Sequence, residues 1–63
     1  MSYRKKIEAE IAAAMARGDM LGKIADSYAA KQMWHMSASY NKQSAEAYTK
    51  AETLQEMLDD VDV

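Results

Sequence analysis

The 63-residue chain contains no cysteine, no proline and no phenylalanine, and it has only two glycines. Without cysteine it forms neither a disulfide nor a thiolate metal site, so neither can stabilise the fold. A chain of this length buries only about 60% of the surface that it exposes when unfolded. We therefore expect its stability to come from helix packing, from association with another chain, or from both.

Long apolar runs and a net positive charge are also missing. No segment approaches the roughly 20 apolar residues that a membrane-spanning helix requires. No apolar core follows the basic start, as it would in a secretory signal, so we expect a cytoplasmic protein. The formal net charge of −2 argues against nucleic acid as a partner, because phosphate contacts need a positive surface.

Apolar residues recur at helical spacing near the start of the chain. Tyr3, Ile7 and Ala14 fall on one stripe, as in a helix that buries one face. Ser2 precedes this stripe and is a residue type that caps helix N-termini. The pattern predicts a first helix over residues 3–17.

The pair Gly18-Asp19 predicts a turn after this helix. Glycine commonly follows the end of a helix, and aspartate commonly caps the start of the next one. After Gly22 the chain has neither glycine nor proline. We therefore predict a second helix over residues 20–58, followed by a short acidic tail at residues 59–63.

These elements predict an all-α fold with a single domain over residues 1–63. The fold is an antiparallel hairpin with a short first helix and a long second helix. Serine and asparagine are frequent at residues 37–41, and both favour turns over helix interiors. A break of the second helix there, which would give a three-helix bundle, is the alternative.

The predicted lengths leave the far part of the second helix without cover. At 1.5 Å per residue, the first helix reaches the second only as far as about Trp34. A bare apolar stripe is unusual on a soluble monomer, so we predict that it binds another copy or another protein. Trp34 either packs inside the hairpin or anchors that partner. The predicted interface residues are Tyr40, Ser44, Ala47, Ala51, Leu54, Leu58 and Trp34.

The two ends of the chain carry opposite charges. In an antiparallel dimer of long helices, the acidic end of each chain would meet the basic start of the other. Exposed ion pairs of this kind contribute about 0 to 1 kcal/mol each, so they would set orientation more than affinity. The residues in question are Arg4, Lys5, Lys6, Asp59 and Asp60.

Residues that could carry chemistry are few. Met33, His35 and Met36 do not form a convincing ligand set, since His35 points away from both methionines on a helix. We predict no cofactor, no metal and no catalytic site. The expected function is a non-enzymatic helical interaction or structural protein that self-associates, for example within a virus particle. The alternative is a small regulator or inhibitor that binds another protein through the same apolar face.

Overall fold

The computed structural model describes residues 2–61, and of Val61 the main chain only. Two α-helices of 28 residues each, α1 (Tyr3–Ala30) and α2 (Trp34–Val61), pack against each other as an antiparallel hairpin. The hairpin is elongated, with a radius of gyration of 14.5 Å, against about 11 Å for a compact chain of this length. The prediction of an all-α helical hairpin is confirmed.

The start of α1 follows the sequence signal. Ser2 has an extended backbone and is the N-cap, and its hydroxyl accepts a hydrogen bond from the backbone N–H of Lys5 at 3.2 Å. This bond satisfies one of the amide groups that have no partner in the first helical turn.

The predicted turn at Gly18-Asp19 is wrong, and so are the helix bounds that depended on it. α1 continues through both residues to Ala30, and Gly18 is buried inside the helix. Apolar positions on α1 repeat with alternating spacings of three and four residues before and after Gly18, as in a coiled coil. The glycine therefore stands where α2 approaches closely, and it does not end the helix.

The turn lies instead at residues 31–33. The N–H of Gln32 donates to the carbonyl of Ala29, and the N–H of Met33 donates to the carbonyl of Tyr28, both at 2.9 Å. This pair of bonds is the Schellman motif of helix ends. Gln32 has a φ of 60°, a conformation that glycine usually supplies. Because glutamine occupies the position, the usual sequence signal for a turn is absent.

The second helix is shorter than predicted and is not broken. α2 runs through residues 37–41 without interruption, so the described chain has two helices and not three. Ser37 and Ser44 are buried against α1, which explains why serine occurs within this helix. The predicted tail begins inside α2, because Asp59 and Asp60 belong to it, and residues 62–63 lie outside the described residues.

The core is a narrow seam between the two helices. Of the seven buried apolar side chains among the described residues, four are alanine. Small side chains at a helix–helix contact let the two backbones come closer than larger ones would allow. The seam is therefore close-packed but thin. Its buried apolar residues are Ile7, Ala14, Leu21, Ala25, Ala47, Ala51 and Leu58.

We predict that the Gln32→Gly substitution stabilises the hairpin by about 1 kcal/mol, because glycine adopts the left-handed conformation without the clash of Cβ. Urea unfolding followed by circular dichroism at fixed chain concentration measures this change. Lys31→Gly is the matched control. Lys31 has a φ of −94°, so glycine there gains nothing and is expected to destabilise the fold slightly. Equal effects of the two substitutions would contradict the prediction.

Candidate interaction surface

The stripe predicted to bind a partner is covered by α1 of the same chain. Ser44, Ala47, Ala51 and Leu58 are buried in the seam, and Leu54 is half-buried. Because the turn lies at residues 31–33, the two helices have equal length and α1 extends along all of α2. The premise that this stripe is bare is therefore wrong.

Tyr40, the remaining α2 residue of the predicted interface, also packs within the chain. Its ring stacks on that of Tyr28 of α1, with centroids 5.5 Å apart and planes inclined by 13°. Offset stacking at this separation is a favoured arrangement of aromatic rings. The stack closes the seam near the turn.

At the middle of the seam, α2 contacts the backbone of α1 directly. The Ser44 hydroxyl donates a hydrogen bond to the Gly18 carbonyl at 2.7 Å, and this bond is buried. The ring of Tyr48 lies over Gly18, since a Cβ added to the glycine would come within 2.9 Å of two ring carbons. The Tyr48 hydroxyl donates to the Asp19 carboxylate. We call these four residues the Gly18 cluster. Together they fix the register of α2 against α1.

Trp34 is 64% exposed and does not belong to the seam. It is the first residue of α2, at the turn end of the hairpin, whereas Tyr3 begins α1 at the opposite end. Packing inside the hairpin, one of the two roles predicted for Trp34, is therefore wrong. Met33 and Met36 are also exposed beside it, and these three residues form what we call the turn-end patch.

The two charged ends of the chain lie at the same end of the hairpin. Since α1 and α2 have equal lengths, the first turn of α1 and the last turn of α2 lie at the same end of the molecule. Arg4 pairs with Glu8 at 3.1 Å on the surface of α1, and Asp59 accepts from Gln55 at 3.2 Å on α2. The basic start, with Lys5 and Lys6, thus lies at the same end of the hairpin as the acidic last turn of its own chain. The dimer expected from the sequence instead placed the basic start beside the acidic end of a second chain.

One flank of the hairpin carries a groove of about 390 Å³. Its floor is made of alanine side chains from both helices, and its rim carries two acidic and two basic residues, all exposed. None of these four charges forms an ion pair or hydrogen bond with another described residue. We call this feature the charged groove. It is lined by Glu10, Ala13, Ala14, Arg17, Gln43, Glu46, Ala47 and Lys50.

Sequence reasoning missed this groove, although a signal for it was present. Tyr3, Glu10, Arg17 and Ile24 recur every seven residues and so fall on one line of α1. The same holds on α2 for Met36, Gln43, Lys50 and Met57. The two lines flank the seam on the side of the charged groove, and we call this side of the hairpin the groove edge.

Comparison of the chain with protein-family models, with curated proteins and with solved structures finds no match. Neither α1 nor α2, as far as the structure describes them, is long and apolar enough to cross a membrane. Residues 2–61 contain no group of three or more histidine, aspartate or glutamate side chains placed to hold a metal ion.

The two glycines of α1 should respond differently to alanine. Gly22→Ala is expected to stabilise the hairpin by about 1 kcal/mol, because alanine is the better helix former and the new Cβ would lie 3.6 Å from the Ser44 hydroxyl, an ordinary contact. In Gly18→Ala the new methyl group would displace the Tyr48 ring, and we expect this loss to cancel the gain. Chemical unfolding of both variants measures the difference.

The Tyr48→Ala background separates these two effects. With the ring removed, Gly18→Ala should recover a gain of about 1 kcal/mol from helix propensity alone. If Gly18→Ala already stabilises the native chain as much as Gly22→Ala does, the ring does not constrain this position.

The hydrogen bond to Asp19 raises the pKa of the Tyr48 hydroxyl above its usual value of 10.0, with smaller contributions from burial and from the charge of Asp19. The stability that this bond contributes is therefore present below that pH and is lost as the pH rises through the higher pKa of the folded chain. Titration of tyrosine absorbance should show one late-titrating group, which disappears in Tyr48→Phe. Asp19→Ala should return it to the usual range, and an unchanged titration curve would contradict the assignment.

Proposed function

We propose that this protein is a non-enzymatic helical interaction protein that acts as a structural component by assembling with further copies of itself. The observation that carries the proposal is the ratio of exposed to buried large side chains. Among the described residues, eight large hydrophobic side chains are exposed, whereas only three larger than alanine are buried. Single exposed apolar side chains are ordinary on a monomer, but such an excess over the buried ones leaves apolar surface that a further copy can cover.

The total surface leads to the same proposal. The hairpin has an accessible surface of 4773 Å², whereas a compact monomer of 7.1 kDa exposes about 4,100 Å². The excess of roughly 700 Å² is close to the ~800 Å² that each partner buries in a protein interface of standard size. The hairpin thus has about one interface more surface than a monomer of its mass.

In this proposal the assembly uses residues other than the interface residues predicted from the sequence. The stripe from Tyr40 to Leu58 is occupied within the chain, so further copies have to bind to its outer surfaces. The same proposal includes membership of a larger assembly, with a virus particle as one candidate, and a cytoplasmic location. The length and composition of the chain support them.

A second candidate function is that of a small regulator that binds a different protein. The turn-end patch favours it, because Trp34 is 64% exposed and tryptophan is among the residue types enriched in binding hot spots. Methionine beside it adapts easily to varied partner surfaces. In this candidate function the hairpin stays monomeric until its partner is present.

Molar mass in solution distinguishes the two candidates. We expect light scattering after size exclusion to give at least twice the monomer mass of 7.1 kDa, with the fraction of assembled chain rising with concentration. Trp34→Ala should leave this mass unchanged, because Trp34 is not needed for assembly in the first candidate. A mass that stays at that of the monomer over the whole concentration range would favour the regulator.

A further inference from the structure

The groove edge combines apolar ends with a charged centre. Tyr3 and Met57 lie at the end that carries the chain termini, and both are exposed. Ile24 and Met36 lie at the turn end, where Ile24 is half-buried and Met36 exposed. The charged groove occupies the stretch between them. The two apolar ends of each helix are three seven-residue repeats apart, which is a length of roughly 31 Å at 1.5 Å per residue.

The charges of the groove are balanced in a way that suits pairing with an identical surface. On α1 the order along the chain is Glu10 then Arg17, and on α2 it is Glu46 then Lys50. The contacts of Gly18 with Ser44 and Tyr48 fix the register of the antiparallel helices. Glu46 therefore lies at about the level of Arg17, and Lys50 lies between the levels of Glu10 and Arg17. Each helix thus carries one acidic and one basic residue within the same short stretch of the groove.

An isologous dimer requires this kind of self-complementarity, since each contact between two residues occurs twice about the two-fold axis. If the axis runs along the length of the hairpin, α1 of one copy lies against α2 of the other. Arg17 then lies at the level of the partner's Glu46, and Glu10 lies about one helical turn from the level of the partner's Lys50, an offset that the long lysine side chain spans. All neighbouring helices are antiparallel, as in a four-helix bundle with short loops.

We infer that two hairpins pair through their groove edges in this arrangement, an inference that rests on the proposed self-assembly. The apolar ends of one edge meet the corresponding ends of the other, and the alanine floor of the groove admits the long charged side chains of the partner's rim. The four charges, which have no partner among the described residues of the single chain, each come near an opposite charge of the second copy. The apolar ends supply the affinity, and the charges select the face and the orientation.

Two reciprocal charge variants test the pairing. In the double variant Glu10→Lys with Glu46→Lys the groove carries only positive charge, and in Arg17→Glu with Lys50→Glu it carries only negative charge. Each variant alone is expected to dimerise at least about a hundred-fold more weakly than the native chain, because like charges then face each other. An equimolar mixture of the two should form a heterodimer with restored affinity, measured by light scattering and by sedimentation equilibrium.

Matched controls carry the same changes in net charge on surfaces outside the groove edge. They are Asp26→Lys with Glu52→Lys, and Lys23→Glu with Lys42→Glu, all at exposed positions. Both control variants should dimerise as the native chain does. Circular dichroism establishes that each variant remains helical, so that lost association is not lost folding.

The outcomes separate this inference from the proposed function. A native chain that assembles while the groove variants associate as the controls do would overturn the groove edge as the interface and leave self-assembly standing. Failure of the mixture to restore the dimer would also overturn it. A native chain that is monomeric at every concentration would overturn both proposals together.

Discussion

The close contact of α1 with α2 at the Gly18 cluster is the constraint on which the rest of the hairpin depends. A hydroxyl on one helix reaches the backbone carbonyl of the other at 2.7 Å, which requires that no side chain stand between them. Glycine at position 18 satisfies that requirement, and Ala14 and Ala25 keep two further seam positions of α1 small. A buried hydrogen bond made to a backbone group has one geometry, so it also sets the register in which the two helices meet.

Close approach by small residues limits how much apolar surface the hairpin can bury. Alanine contributes little on leaving water, since hydrophobic stabilisation scales with the area removed, at roughly 25 cal/mol per Å². Folding therefore orders two helices of 28 residues, and the hydrophobic free energy gained for each ordered residue is small compared with the conformational entropy lost. The larger apolar side chains are mostly on the outside. The thin core and the excess of exposed surface are thus two consequences of the same packing choice.

The features of the fold that the sequence predicts correctly are those encoded by local chemistry. Ser2 caps α1 because serine satisfies free amides wherever a helix starts, and the apolar stripe marks the buried face because the helical period is constant. The turn could not be located in this way. Glycine stands at position 18 for an interhelix contact, while glutamine takes the left-handed position at the true turn. A glycine at a helix–helix contact and a glycine at a turn look identical in the sequence. Only the uninterrupted seven-residue repeat distinguishes the two.

The seven-residue repeat also places the charged groove directly beside the seam. Ala14 and Ala47 lie in the seam, where small side chains let the two helices approach. Together with the exposed Ala13 they leave the flank beside the seam unfilled. The charged residues on the rim stand above this space and make no bonds across it among the described residues. Larger residues at the seam would push the helices apart and change the spacing of the rim charges. The packing of the hairpin and the spacing of the charges along the groove therefore depend on the same few alanines.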